Sequence, residues 1–253
     1  PPTPTPEGYC ENNANCVSEK ACVNNSCQTP SCPRSPGECE EYLYTFHLCS
    51  FKAKADGTAC GVAGKCQSGT CIEPPKSPVI NFKIKFDGVT KQIGNQKVKV
   101  KVVGLTETKA FENINVTADE NGVFSGAFVA EGVKPESGYT LIIKGPKHLA
   151  MKLCKNNQTD ICLDRGNLAL AEGENNFDFS GLKLLAGDLP NEAGVQDGVV
   201  DSSDLSILIQ ALKAESSLEL RQRADLNFDG LNNTADIQLF LNTMSKKYDD
   251  EGI

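Results

Sequence analysis

The stretch Asp225-Leu226-Asn227-Phe228-Asp229-Gly230-Leu231 decides the fold of the C-terminal part of this 253-residue chain. Counted from Asp225, oxygen-bearing side chains stand at positions 1, 3 and 5, a glycine at 6, a residue offering its backbone carbonyl at 7, and Asp236 at 12. With this spacing a short loop can wrap a calcium ion before the chain turns into a helix. Apolar residues with helical spacing follow at Ile237, Phe240, Leu241 and Met244.

An imperfect copy of this loop begins upstream at Asp188. Asp204 lies seven positions after Asp197, as Asp236 lies seven positions after Asp229 in the second loop. Nine steps lead from Asp188 to Asp197 where the second loop uses four, so five residues are inserted. Single Asp-Gly turns are common, but a duplicated loop–helix pattern favours a pair of calcium loops. The helical pattern of this copy consists of Leu205, Leu208, Ile209 and Leu212.

The arrangement resembles a type I dockerin, the duplicated calcium-loop module that binds cohesin domains in secreted cell-surface assemblies. The resemblance covers about residues 184–248 and implies two calcium ions. The family's ligand positions fall, in the second loop, on Asp225, Asn227, Asp229, Leu231 (through its carbonyl) and Asp236. In the first loop they fall on Asp188, Asp197, Val199 (through its carbonyl) and Asp204. The insertion breaks the alignment between Asp188 and Asp197, and Asn191 is the candidate ligand in that interval.

The same resemblance implies four residues that read the partner, just before the last ligand of each loop. They are Ser202, Ser203, Thr234 and Ala235. A plainer role for the three hydroxyl residues is to cap a helix N-terminus. The two roles are compatible, and capping is the simpler expectation.

Negative charge is concentrated in this C-terminal segment. Residues 184–253 contain five Lys and Arg against thirteen Asp and Glu, a net charge of −8, which equals the net charge of the entire chain. Two calcium ions would reduce this to about −4 and relieve the repulsion among the carboxylates. We therefore expect the module to fold poorly without calcium, because metal binding and folding are linked. The acidity excludes nucleic acid as a partner.

Cysteines organise the N-terminal part of the chain. The segment has no Cys-x-x-Cys pair and a single histidine, His47, so zinc is not indicated. It is also poor in Leu, Ile and Val, which favours a disulfide framework in an oxidising compartment. Five bridges are expected with open connectivity among Cys10, Cys16, Cys22, Cys27, Cys32, Cys39, Cys49, Cys60, Cys66 and Cys71. Cys154 and Cys162 are expected to pin one loop further along the chain.

The middle of the chain has the two-residue periodicity of strands. It follows a proline-rich boundary at residues 73–78. Strands are predicted around residues 80–86, 98–102, 115–118, 123–129, 139–144, 168–170 and 175–179, with a hairpin turn at Asp119-Glu120-Asn121-Gly122. About seven short strands with turns between them predict an antiparallel β-sandwich.

The predicted organisation is therefore multidomain. A proline-rich linker at 1–9 precedes a disulfide-rich domain at 10–72 and a linker at 73–78. A β-sandwich at 79–183, an all-α calcium-binding dockerin-like module at 184–248 and a tail at 249–253 complete it.

No catalytic centre is indicated, so we predict that the protein is not an enzyme. His47 and His148 have no flanking motif, and the organised carboxylates belong to the calcium loops. No apolar run is long enough to span a bilayer, and the disulfides predict a secreted protein at the cell surface.

Two functional hypotheses remain open. The first is a structural subunit whose partner is another copy of itself, building a surface filament or layer; it is favoured because the chain carries no evident cargo for a scaffold. The second is a component that binds a cohesin-like domain on a cell-surface scaffold. A carbohydrate-binding adhesin is a lesser alternative, because the chain contains no tryptophan for a sugar platform.

Overall fold

The computed structural model describes residues 10, 12–13, 16, 19–45, 48–74, 76–162, 166–213 and 215–250. His47 and the predicted linker at 1–9 lie outside these residues, as does the end of the tail, 251–253. The chain divides into two compact units, residues 1–74 and 75–253. The multidomain prediction is confirmed, while its finer boundaries stay predictions.

The first unit consists of short antiparallel strands. In its described part these are β1 (Ala21–Val23), β2 (Ser26–Gln28), β3 (Glu40–Thr45), β4 (Leu48–Ala53), β5 (Ala59–Cys60), β6 (Gly64–Gln67) and β7 (Thr70–Ile72). They form a β1–β2 hairpin, a β3–β4 hairpin and a three-stranded β5–β6–β7 sheet. None of these sheets is large enough to bury a core of its own.

Disulfides cross-link the described part of this unit. The pairings are Cys10–Cys22, Cys16–Cys27, Cys32–Cys49, Cys39–Cys66 and Cys60–Cys71. The buried cluster of the unit consists of Cys39, Cys60 and Cys66, with Cys71 packed against it. Cross-links of this kind stabilise small domains mainly by restricting the unfolded chain.

The second unit begins with a β-sandwich-like sheet folded over one core. Its strands are β8 (Pro78–Phe86), β9 (Gln96–Val103), β10 (Thr108–Ala118), β11 (Val123–Val129), β12 (Ser137–Lys144), β13 (Met151–Leu153), β14 (Leu168–Ala169) and β15 (Gly173–Leu184). The strand order is β13-β12-β9-β10-β11-β8-β15, and β14 pairs separately with β12. Every pair is antiparallel except β8–β15, which is parallel.

The alternation read from the sequence matches the buried face of this sheet. Ile80, Phe82, Ile84 and Phe86 of β8 all point into the core, and residues of the other long strands complete the same cluster. The predicted hairpin between β10 and β11 is present, because Asp119 Oδ1 accepts hydrogen bonds from the amides of Asn121 and Val123, both at 2.9 Å. Further along, the Cys154–Cys162 disulfide pins its loop.

The helices of the second unit are α1 (Ser202–Ala211), α2 (Leu218–Ala224) and α3 (Thr234–Thr243). They enclose a second core that includes Val200, Leu208, Leu226 and Phe240. Leu149, which lies between β12 and β13 of the sandwich, belongs to this helical core as well. The sandwich and the helical module are therefore packed together within one unit. None of the helices in the described ranges is long and apolar enough to cross a membrane.

Candidate functional site

The second loop is shaped by hydrogen bonds from its own backbone to its predicted ligands. Asp225 accepts from the Asp229 amide through Oδ1 at 3.1 Å and from the Gly230 amide through Oδ2 at 2.9 Å. The Asp229 amide also donates to Asn227 Oδ1 at 3.0 Å, and the Leu231 amide donates to Asp229 Oδ1 at 2.8 Å. Gly230 has a φ of +89°, which favours glycine at this sharp turn. The first three predicted ligand side chains are thus gathered by one tight loop.

The last predicted ligand closes the loop onto α3. Asp236 is 1 % exposed. Its Oδ1 accepts from the Leu226 amide at 2.8 Å and its Oδ2 from the Asn233 amide at 2.9 Å. The carboxylate therefore ties the beginning of the loop to the beginning of the helix.

The first loop repeats this closure. Asp204 Oδ1 accepts from the Leu189 amide at 2.7 Å, and Oδ2 accepts from the Asp201 amide at 2.9 Å. Asp197 Oδ1 accepts from the Val199 amide at 2.9 Å, which matches the bond between Asp229 and Leu231. From Asp197 onward the two loops share one design, as the equal spacing in the sequence predicts.

The expectation that Ser202, Ser203 and Thr234 cap the helices is wrong. The N-cap residues are Asp201 and Asn233, whose side chains accept from the second amide of each helix at 2.7 Å. Asp and Asn at these positions also belong to capping boxes with the terminal carboxylate of each loop. The displaced hydroxyls are left exposed on the first turns, where Ala235 is exposed as well.

The inserted half of the first loop differs from its counterpart. Asn191 Oδ1 accepts from the amides of Ala193, at 2.9 Å, and Val195, at 3.1 Å, so this side chain closes the inserted turn. Gln196 Nε2 donates to the carbonyl of Asp188 at 2.8 Å and links the end of the insertion to its start. The candidate ligand Asn191 is engaged within the insertion, and the sequence reasoning missed the role of Gln196.

Asp188 is held by a residue of the sandwich. It is fully buried, and its Oδ2 lies 2.5 Å from Lys144 Nζ at the end of β12. The same ammonium lies 2.7 Å from Asp249 Oδ2. In the described part of the chain, Asp188 Oδ1 has no hydrogen-bond partner. No sequence motif marks Lys144, because its partners are far away along the chain.

The sandwich also contacts the second loop. Lys147 donates a hydrogen bond to the carbonyl of Asp225, and its Nζ lies 4.2 Å from the centre of the Phe228 ring. The His148 ring stacks on Phe86 at 4.2 Å between centroids and lies 6.1 Å from Phe228. Burial lowers the pKa of Lys147 to about 8, although Asp225 and Asp236 oppose the shift. The second loop is thus fixed through a carbonyl and an aromatic ring, whereas the first is fixed through the side chain of Asp188, a predicted ligand.

His148 makes acid stability a test of this packing. Its burial, with Lys147 and Lys144 nearby, lowers its pKa to about 3, whereas an unfolded histidine binds a proton near its ordinary value of 6.5. The unfolded chain therefore binds more protons below pH 6.5, and stability falls as the pH falls, by about 1.4 kcal/mol per unit. We expect His148→Phe, which keeps an aromatic ring, to reduce the loss between pH 7.5 and pH 5 by about 2 kcal/mol. Urea unfolding of both proteins with calcium present measures the difference; an identical loss in both would contradict the burial of a neutral His148.

The donor chemistry of the two loops suits a hard divalent cation. Burial raises the pKa of Asp188 to about 6, against the opposing effect of Lys144, and it also raises the pKa of Asp204 and Asp236. A bound dication would favour the charged form of each of these buried carboxylates. These carboxylates, the Asn227 amide and the loop carbonyls all offer oxygen atoms, the donor type that calcium prefers.

Other candidate metal clusters do not fit a metal. In the described part of the chain, the three groups of potential ligands within 4.8 Å of one another all contain disulfide-bonded cysteines, for example Cys39, Cys60 and Cys66. A disulfide sulfur is not a thiolate and is not a metal ligand of this kind. Within the same described residues, no three carboxylates of the loops come within that distance of one another.

The helices expose part of their predicted apolar faces. On α1 and just after it, Ile209 is 50 % and Leu212 is 42 % exposed. The equivalent residues of the second copy are Leu241, 50 % exposed, and Met244, 45 % exposed. These four residues share a helical pattern with Leu208 and Phe240, which are buried. The core covers Leu208 and Phe240 but leaves the side of each helix that carries Ile209 or Leu241 partly exposed.

Comparison with known families agrees with this geometry. The sequence model of the dockerin type I domain matches residues 195–245. The C-terminal module is a dockerin-like module. It is therefore an assembly module and not a catalytic one. The match includes the part of the first loop from Asp197 onward, where the spacing equals that of the second loop, and all of the second loop. It begins after Asp188 and after most of the insertion.

Two solved structures show partial likeness. One is a chain from a mutant type II cohesin–X–dockerin complex of Acetivibrio cellulolyticus, with 22 % identity and a TM-score of 0.40, covering 69 % of this chain and 97 % of that one. The other is a 9R-lipoxygenase from Cyanothece, with 12 % identity and a TM-score of 0.25, covering 69 % of this chain and 26 % of that one. Both TM-scores are low. A search of curated proteins found no match.

Proposed function

We propose that this protein is a non-catalytic extracellular assembly component whose dockerin-like module binds a cohesin domain in the presence of calcium. One observation carries the proposal: the two loop–helix copies expose equivalent apolar residues. Ile209 and Leu241 occupy the same position in their copies, and both are half exposed. Exposed apolar residues rimmed by polar ones are typical of protein-binding surfaces.

The first turns of the helices extend this surface with small polar side chains. Ser202 and Ser203 on α1, and Thr234 on α3, are exposed and are not used as caps. They are free to meet a partner, together with Ala235. The four residues that the dockerin resemblance implies for partner reading are therefore exposed on the same two helices as Ile209 and Leu241.

We propose two calcium ions, one in each loop, as the device that holds these helices in place. Asp225, Asn227, Asp229, the Leu231 carbonyl and Asp236 would hold the ion of the second loop. Asp188, Asp197, the Val199 carbonyl and Asp204 would hold the ion of the first. Six disulfides support folding in an oxidising compartment and hence an extracellular location.

Self-assembly is the second candidate function. The exposed residues Ile209 on α1 and Leu241 on α3 would also fit a surface on another copy of the chain. The dockerin family match favours a cohesin partner over another copy of the chain. Sedimentation of the purified protein with calcium separates the two, because a self-assembling subunit would form larger species at high concentration.

Cohesin binding can be tested with charge substitutions on the exposed pairs. We expect Ile209→Asp with Leu241→Asp to weaken binding by at least about 2 kcal/mol, roughly 30-fold, because a charge would be buried in the apolar centre of the interface. Either single substitution should cost less, since the other helix still presents its equivalent residue. Calorimetry against a panel of cohesin domains with calcium measures the effect.

The control for this experiment is Leu105→Asp. Leu105 is another exposed apolar residue, but it lies in the turn after β9 of the sandwich. Binding of this variant should equal that of the unmodified protein. If no cohesin binds, or if the double substitution on the helices binds as well as the control, the proposed partner surface is wrong.

A further inference from the structure

We propose that Lys144 of the sandwich positions Asp188 as a ligand of the first calcium loop. The first loop would then bind calcium only while the module is packed on the sandwich. This inference rests on the proposed calcium function of the first loop and goes beyond it, because it assigns part of the metal site to a different domain. It follows from how the two loops hold their first ligand.

The second loop fixes its first ligand with its own backbone. Both oxygens of Asp225 accept an amide hydrogen, one from Asp229 and one from Gly230. The equivalent amides in the first loop belong to Asp197 and Gly198, but the insertion intervenes. Among the described residues, the hydrogen bond that the Asp188 side chain accepts comes from Lys144 Nζ, at 2.5 Å. Lys144 therefore takes the place of the two loop amides.

Lys144 is itself held firmly in position. It is 4 % exposed, and its ammonium also donates to Asp249, at 2.9 Å from Oδ1 and 2.7 Å from Oδ2. Asp249 Oδ1 accepts from the Ala150 amide of the sandwich at 2.7 Å. The Asp249 amide donates to the carbonyl of Gly198 in the first loop at 3.0 Å. The ammonium is thus fixed by a residue that is bonded to the sandwich and to the loop.

The remaining oxygen of Asp188 points to a ligand. Asp188 is fully buried, and its Oδ1 finds no hydrogen-bond partner among the residues that the structure describes. A buried, unpartnered carboxylate oxygen is costly, and native proteins usually satisfy such atoms with a partner or an ion. Oδ2 is occupied by Lys144, so Oδ1 is the atom left for a cation. Lys144 then orients the carboxylate while Asp249 balances the ammonium charge.

The contact between Lys147 and the second loop is different in kind. Lys147 reaches the backbone carbonyl of Asp225 and the ring of Phe228, and it leaves the ligand side chains to the loop's own amides. We therefore expect the sandwich to be required for calcium binding in the first loop and dispensable for the ligand geometry of the second. This asymmetry gives the inference a site-resolved test.

The experiment is a calcium titration of the ¹⁵N-labelled full chain, starting from chelated protein. The amide signals of Gly198 and Gly230 report the first and second loops separately, because each glycine occupies position 6 of its loop. In the unmodified protein both signals should shift with calcium. In Lys144→Met we expect the response of Gly198 to require at least about tenfold more calcium, as is usual when the residue that orients a metal ligand is lost. Gly230 should respond as before.

Lys99→Met is the matched control. Lys99 is exposed and lines the same cavity of about 240 Å³ as Lys144, Asp197 and Asp249, so its removal takes away an equal charge from the neighbourhood without breaking a bond to Asp188. Its titration should match that of the unmodified protein. A Lys144→Met titration equal to that of Lys99→Met overturns the inference and leaves the proposed function intact. Failure of Gly198 to respond in the unmodified protein overturns both.

A second variant covers the case in which Lys144→Met does not fold. Asp249→Asn keeps an oxygen for the Ala150 amide but removes the charge that anchors the Lys144 ammonium. We expect a weaker calcium response at Gly198 and an unchanged one at Gly230. An unchanged response at both glycines in this variant counts against the inference.

Discussion

Removal of calcium is expected to lower the unfolding temperature of the 75–253 unit by about 8–16 °C for each emptied loop. A ligand present at about a thousand times its dissociation constant stabilises the folded state by about 4 kcal/mol. For a unit of this size, each kcal/mol corresponds to about 2–4 °C. The physical reason is that buried carboxylates such as Asp188, Asp204 and Asp236 lose the divalent charge that compensates their own negative charge.

Differential scanning calorimetry with calcium and then with chelator measures this shift. Asp236→Asn should lower the unfolding temperature in calcium and reduce the further drop caused by the chelator, because one ion is already lost. The transition of the disulfide-rich unit serves as an internal control, since its five bridges do not depend on a metal. An unfolding temperature that is the same with calcium and with chelator would show that the loops are ordinary turns.

Truncation of Phe240 is expected to cost about 3–5 kcal/mol of folding free energy. Its ring is fully buried in the helical core with Leu149, Leu208 and Leu226, so Phe240→Ala leaves a cavity at the contact between the module and the sandwich. Urea unfolding in calcium gives the change directly. Because the variant is less stable, its unfolding temperature in chelator should also be lower than that of the unmodified protein in chelator.

The neighbouring residue supplies the matched control for this prediction. Leu241 follows Phe240 on the same helix and is 50 % exposed. Leu241→Ala should cost less than about 1 kcal/mol, because little apolar area returns to water. Equal costs for the two substitutions would mean that α3 is rotated relative to the structure described above.

The loops and the sandwich strands were predictable because their signals are local. The spacing of Asp225, Asn227 and Asp229 fixes a tight turn through bonds among residues close in sequence. The alternation of Ile80, Phe82 and Ile84 fixes which face of β8 is buried. Neither signal depends on knowing what lies opposite.

Several strand features escaped prediction because they are not local. β10 begins at Thr108, well before the predicted strand, and its register shifts between Phe111 and Ile114. A bulge of this kind breaks the two-residue alternation on which the prediction rests. The parallel pairing of β8 with β15 joins the two ends of the sandwich and leaves no trace in either strand alone.

The parts of the site that were missed depend on partners from elsewhere in the chain. A lysine at the end of a strand looks like a solvated residue, and Lys144 acquires its role only because Asp188 and Asp249 lie against it. The helical period likewise shows which residues share a face, but it cannot show how much of that face a neighbour covers. The exposure of Ile209 and Leu241 could therefore not be predicted from the sequence.

The seam between module and sandwich has a mechanical consequence. Leu149 lies in the core of the helices, Lys147 is bonded to the second loop, and the amides of Ala150 and Lys152 donate to Asp249 and Asp250 near the end of the chain. A partner captured on α1 and α3 would therefore be held at a set angle to the sandwich. Force applied to that partner would be transmitted directly to strands β12 and β13, because the contacts named above join the module to the sandwich without a flexible linker between them.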